Sequence, residues 1–164
     1  MTTEHLVSRA AGVGADGAVA EALAGRADIL ELTSATHEAI LRPSEPGGIS
    51  HGERAALACR IALLHGEQNL AEYYRGLLPG ERGEALAGLA DPSVDGGDDA
   101  RRQALLRHVD RVTRTPREAS GADIQALKQA GWDDADIVRL SEIIAFLSYQ
   151  LRVVAGLRLL EKLS

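Results

Sequence analysis

Hydrophobic and polar positions follow helical periods along most of this chain, and one stretch departs from that alternation. From Ala55 to Leu64 small and aliphatic side chains occupy almost every position, with Arg60 the interruption, as in a helix surrounded by other helices. Ser50 followed three residues later by Glu53 is a capping box that starts this helix. Past His65 the pattern narrows to faces. At about 100° per residue, Cys59, Leu63, Leu70 and Leu77 make one stripe and His65, Asn69 and Glu72 another. The spacing predicts one long helix over residues 50–78. Gly66 lies inside it at a cost of about 0.5–1 kcal/mol against Ala, so a packing reason or a bend is expected there.

The flanking segments are also helical in period. Residues 2–11 suit a short helix, and Asp16 can cap a second through Val19, Ala20 and Leu23. From Ala27 to Leu41 the apolar positions Ile29, Leu30, Leu32, Ala35, Ala39 and Ile40 suit an amphipathic helix ending before Pro43. Residues 42–49 then read as a loop. Residues 80–97 are rich in Gly, Asp and Pro, most of all at 91–99, and predict an exposed connection with a turn-pair of helix at 84–89. A helix over 98–113 points Leu105, Leu106, Val109 and Val112 inward. Pro116 opens a new segment, and Ser120 with Asp123 is a second capping pattern, with Gly131 placed for the left-handed position after the last turn. Asp133 or Asp134 starts a final long helix, so residues 120–163 predict an αα-hairpin. That helix is apolar on more than one face, which implies a neighbouring subunit as well as its own core.

Composition narrows this to a single all-α domain over residues 1–164, with N-terminal helices at 1–44. Hydrophobic residues make up 45% and aromatics only 3%, and Ala and Leu favour helix where strands want β-branched and aromatic side chains. A net charge of -6 argues against a nucleic-acid binder. A single cysteine, Cys59, leaves no intrachain disulfide and no Cys-x-x-Cys pair. The opening residues lack the basic and apolar regions of a signal peptide, and no uninterrupted apolar run reaches the ~18 residues of a membrane span. A cytoplasmic protein without membrane association is expected. The five histidines show no metal-ligand spacing, and no metal or other cofactor is expected.

Two segments carry a family resemblance: SHGERAALACRIALLHG at 50–66, and VTRTPREASGADIQALKQAGWDDADIVRLSEIIAFLSYQLRVVAGL at 112–157. Together they resemble the carboxymuconolactone decarboxylase and alkylhydroperoxidase-D-like superfamily, more narrowly its peroxidase-related, CMD-domain branch, over roughly residues 45–160. The resemblance implies an all-helical fold in homo-oligomers. It also implies a relay on the central helix: a Glu, eleven residues, Cys-x-x-Cys, three residues, then His. There a thiolate attacks peroxide, the second Cys resolves it, and Glu and His move protons. Aligned on Ser50, Arg54 and Gly66, those positions fall on Ala55, Glu67, Leu70 and Tyr74. All four members are replaced, so no catalytic residue is carried over.

Three side chains near the replaced relay remain candidates for acid/base work on a small organic acid or peroxide. Glu67 and Tyr74 are seven apart and share a helical face, while His65 points about 160° away from Glu67. The competing reading of all three is helix polarity without chemistry. Cys59 lies on the Leu63 and Leu70 stripe and reads as a core thiol. The arginines at 101, 102, 107, 111, 114 and 117 form a basic run that would suit an anion or, more simply, salt bridges. Two function classes stay open: an enzyme using the inherited pocket without thiols, or a non-catalytic oligomeric subunit or ligand-binding partner of an active paralogue.

Overall fold

A computed structural model describes residues 5–78 and 83–164. Residues 2–4 and 80–82 of the segments predicted above lie outside the described residues. The described chain is all-helical: α1 (Leu6–Ala11), α2 (Ala18–Ala24), α3 (Ala27–Leu41), α4 (His51–Leu64), α5 (Gln68–Gly76), α6 (Gly83–Ala90), α7 (Ala100–Arg114), α8 (Gly121–Gln129) and α9 (Asp134–Leu163). A 3₁₀ turn at Pro116–Glu118 joins α7 to α8.

At the centre stands α4, packed against α3, α5, α6, α7 and α9. Every residue from Arg54 to Ala62 is buried, as the all-round apolar run requires. Its start is the predicted capping box, with both Ser50 and Glu53 bonds formed. Its end is not where the spacing predicted. The chain leaves α4 at His65, turns at Gly66 with φ +72°, and restarts as α5. One 50–78 helix is therefore two, because a glycine in the left-handed region cannot continue a right-handed helix.

The other predicted starts and stops are close to those observed. Asp99 caps α7 by accepting from the Arg101 and Arg102 amides, Ser120 and Asp123 form the second capping box, and Gly131 takes φ +88° after α8. Asp133 caps α9. Gly17, rather than Asp16, occupies the cap position of α2. The sequence at 91–99 is the non-helical link it was read as, and 83–90 is a full two turns of helix.

Two buried arginines fasten loops to α4. Arg54 donates to the carbonyls of Ile49, Ile40 and Pro46 at 2.7–2.9 Å, closing the loop before the helix. Arg60 donates two parallel bonds to the Asp110 carboxylate at 2.6 and 2.7 Å, and further bonds to the Asp91 and Val94 carbonyls. The 91–99 link is thereby tied to both α4 and α7.

The amphipathic face of α3 departs from the sequence reading. Its buried residues are Thr33, His37 and Leu41, one turn apart, whereas Ile29 and Leu32 are 47% and 63% exposed. On α9, Val138, Tyr149, Leu159, Leu160 and Leu163 are exposed as well, which matches a helix apolar on more than one face. One 18-residue window of α9 reaches a mean hydropathy of 1.5, enough by length and composition to cross a bilayer. That window tolerates scattered charges that an uninterrupted run does not. Nearly half of it is buried within the protein, as in a core helix.

Candidate functional site

Break and restart at Gly66 decide what happens to the three candidates. His65 is the last residue of the α4 turn and is exposed; partial burial and the Arg152 charge hold its imidazole below the usual histidine pKa. Glu67 is the residue before α5. The two are no longer on one helical wheel, and no hydrogen bond joins their side chains.

Glu67 is buried and takes two parallel bonds from the Arg158 guanidinium, at 2.7 and 2.9 Å. Arg158 also donates to the Ala10 carbonyl at 3.0 Å, and Asn69 donates to the same oxygen. This carboxylate therefore holds α5, α9 and the end of α1 together. Both of its oxygens are spent on the Arg158 fork, so neither is turned toward a substrate.

Tyr74 is fully buried and its hydroxyl donates to Oε1 of Gln150. Burial drives its pKa far above the usual tyrosine value, so it stays neutral. Gln150 and Arg158 are eight residues apart on α9, which is about 12 Å along the axis. Glu67 and Tyr74 share a side of α5 as predicted, but each is latched to a different turn of α9. The shared face is an inter-helix seam.

Cys59 is 0% exposed, and its Sγ donates to the Ala71 carbonyl at 3.4 Å. Burial raises its pKa. A thiol kept protonated in the core has neither the thiolate nor the access that peroxide chemistry requires. Of the arginine run, Arg101 stacks on Trp132 with Cζ 3.8 Å from the ring centre and Arg111 pairs with Asp123 at 3.3 Å. Those two serve the α7–α8–α9 packing.

The sequence reading passed over two polar groups that the fold gathers beside Tyr74. His37, 6% exposed, stacks on Tyr74 at 5.9 Å between centroids and is flanked by Tyr73 at 5.8 Å and Phe146 at 6.1 Å. Its Nδ1 lies 3.4 Å from a Glu38 carboxylate oxygen, while its Nε2 is closed to solvent and has no hydrogen-bond partner among the described residues. Desolvation lowers its pKa, more than Glu38 restores it. Gln150 is the second; Arg158, also passed over, serves Glu67 about two turns further along α9. The available signal was the i, i+4, i+8 spacing of Thr33, His37 and Leu41, a polar stripe that an apolar-face search on α3 discards.

A second cavity of about 570 Å³ opens between the 91–95 link, α7 and α8. Arg60 and Asp110 line it, but they spend their bonds on each other and on backbone carbonyls. His108 on its wall is buried with Nδ1 unpartnered.

No protein-family model matches the chain, and comparison with curated proteins finds no match. Among solved structures, the chain is similar to the crystal structure of an uncharacterized peroxidase-related protein from Silicibacter sp. TM1040, with a TM-score of 0.58 and 20% identity over 79% of this chain and 68% of that one. At that identity the likeness speaks for the fold, and the fold is an all-helical bundle of the kind seen in that peroxidase-related protein.

Proposed function

We propose that this chain is a non-redox binding protein built on the peroxidase-related helical fold. The observation that carries the reading is the state of Cys59, a fully buried thiol donating to Ala71 with its pKa raised. The positions that the superfamily resemblance assigns to the relay support it, since Glu67 and Tyr74 are engaged in latches to α9 rather than facing a cavity. A hydroperoxide assay with a dithiol donor tests the reading directly. The expected result is no turnover above the uncatalysed rate for the wild-type chain or for Cys59→Ala, and no rapid sulfenylation under mild peroxide by mass spectrometry. Thiol-dependent turnover would overturn the proposal.

Self-association belongs to the same reading. It is favoured by an apolar groove of about 650 Å³ between α3 and α9, lined by Ile29, Leu32, Ala39, Ala145, Phe146 and Tyr149. Exposed Ile29, Leu32 and Tyr149 lie together in this groove, and a contiguous apolar patch of that kind marks an interaction surface. A second copy of the chain is the proposed occupant. Sedimentation should show an oligomer that Leu32→Glu shifts toward monomer at micromolar concentration. A wild-type monomer at the same concentration would remove the oligomeric part.

A further inference from the structure

A cavity of about 320 Å³ lies where α1, α3, α5 and α9 meet, with His5, Arg9, His37, Glu38, Tyr73 and Gln150 on its walls. It has the volume of a small-ligand site at the lower end of the usual range. Three features of its chemistry point the same way.

The first is His37. Burial keeps the imidazole neutral, so one nitrogen carries the proton and the other a lone pair. A carboxylate can only accept, and the Glu38 oxygen 3.4 Å from Nδ1, though a long contact, favours the proton there. Nε2 is then a buried acceptor without a donor. Groups in that state are rare because they keep the full cost of desolvation.

Gln150 is the second. With Oε1 committed to the Tyr74 hydroxyl, what the amide has left to offer is its N–H donors. The third is Arg9, exposed at the rim with its guanidinium 5.6 Å from the Tyr73 ring centre. Tyr73 thus has Arg9 on it and His37 beside it, so the cation and the orphan acceptor flank one aromatic ring.

One unsatisfied acceptor inside, with amide and guanidinium donors around it and the wall carboxylate of Glu38 turned to the Nδ1 side of His37, is the complement of a molecule that donates once and accepts through an anionic group. We propose that this cavity binds a small hydroxycarboxylate, its hydroxyl donating to Nε2 of His37 and its carboxylate taken by Arg9 and the Gln150 amide. Nε2 is closed to solvent, so binding requires a ring to move, and Tyr73, half-buried on the cavity wall beside His37, is the one placed to do so. The proposal rests on the binding reading above and names its site and ligand class.

Calorimetry and imidazole ¹⁵N NMR with lactate, propionate and 1,2-propanediol test it. Lactate should bind at least about tenfold more tightly than propionate, which lacks the hydroxyl, and than the diol, which lacks the carboxylate, and should shift the His37 Nε2 resonance. His37→Phe should erase the lactate preference. Arg9→Gln, a change at an exposed side chain, should weaken lactate about tenfold while leaving the fold intact, and so reads the carboxylate contact even if the His37 variant is unstable. Equal affinity for lactate and propionate, no binding of either, or a preference that survives His37→Phe would overturn the proposal. The peroxidase assay fails separately: thiol-driven turnover would overturn the non-redox reading whatever lactate does, and absent lactate binding would leave that reading standing.

Discussion

Arg60 and His37 are both polar, both almost completely buried, and differ in whether the chain satisfies them. Arg60 has its Nε and both terminal nitrogens bonded, to Asp110 and to backbone carbonyls of the 89–94 region. His37 has an aromatic surround, one long contact to Glu38, and a nitrogen with nothing. The first arrangement has spent its hydrogen-bonding capacity on architecture. The second keeps a group in reserve, and that is the better mark of a place where something else belongs.

The difference predicts opposite responses to removal. Arg60→Met leaves Asp110 unpaired and three carbonyls without their donor, and should cost about 3–5 kcal/mol, as expected for breaking one side of a buried pair. Urea unfolding would measure it. Adding Asp110→Leu to Arg60→Met should recover much of the loss, because the stranded carboxylate goes with it. A single-variant loss under about 1 kcal/mol would show that the pair is screened by solvent and that the contrast with His37 is weaker than the burial suggests.

Most of the helix plan was legible in the sequence, because its signals are local. Ser50 with Glu53, Ser120 with Asp123 and Asp133 each satisfy amides within three residues of themselves, and no knowledge of the fold is needed to see them; the Asp99 cap of α7 obeys the same rule but was passed over, the helix being started at Asp98, one residue before it. The candidate site was legible only in part. Glu67 and Tyr74 do share a side of α5, but their partners Arg158 and Gln150 lie 91 and 76 residues away. Local pattern cannot reach across such separations. On α3 the apolar-face rule was only partly right, since Leu30 and Ile40 pack against the core but Thr33 and His37 are inside while Ile29 and Leu32 are outside. A helix facing a polar cavity on one side and an apolar groove on the other has no simple inward stripe.

Gly66 marks where a local signal was seen and its consequence missed. The mid-helix cost was visible, but the chain resolved it by breaking the helix rather than bending it. A Cβ at position 66 would meet no atom within 4 Å, so Gly66→Ala isolates the backbone term. At φ +72° the expected loss is about 1–2 kcal/mol, below that of Arg60→Met. Were the variant more stable than wild type, α4 and α5 would prefer to run on as one helix, and the separation of His65 from Glu67 would not be built in.

The smallest expected change in stability is also the sharpest test of the comparison. His37→Phe replaces one ring by another of similar size among Tyr73, Tyr74 and Phe146 and deletes an acceptor that has no partner. At pH 7 the net effect should stay within about 1 kcal/mol of zero, because the lost Glu38 contact is exposed and the deleted nitrogen was a cost. The pH dependence adds a second readout. Burial lowers the folded-state pKa of His37, His65 and His108, so as pH falls below about 6.5 the unfolded chain takes up protons that the folded chain refuses. Stability present above that pH is lost as pH falls toward the folded-state values. His37→Phe should flatten part of this slope and leave the part due to His65 and His108. Asp123, whose pKa is lowered chiefly by the Ser120 amide, acts in a separate window below its ordinary value of 3.8. If His37→Phe costs as much as Arg60→Met, or leaves the slope near pH 6 untouched, then His37 is as fully employed by the fold as Arg60, and its free nitrogen no longer argues for a ligand.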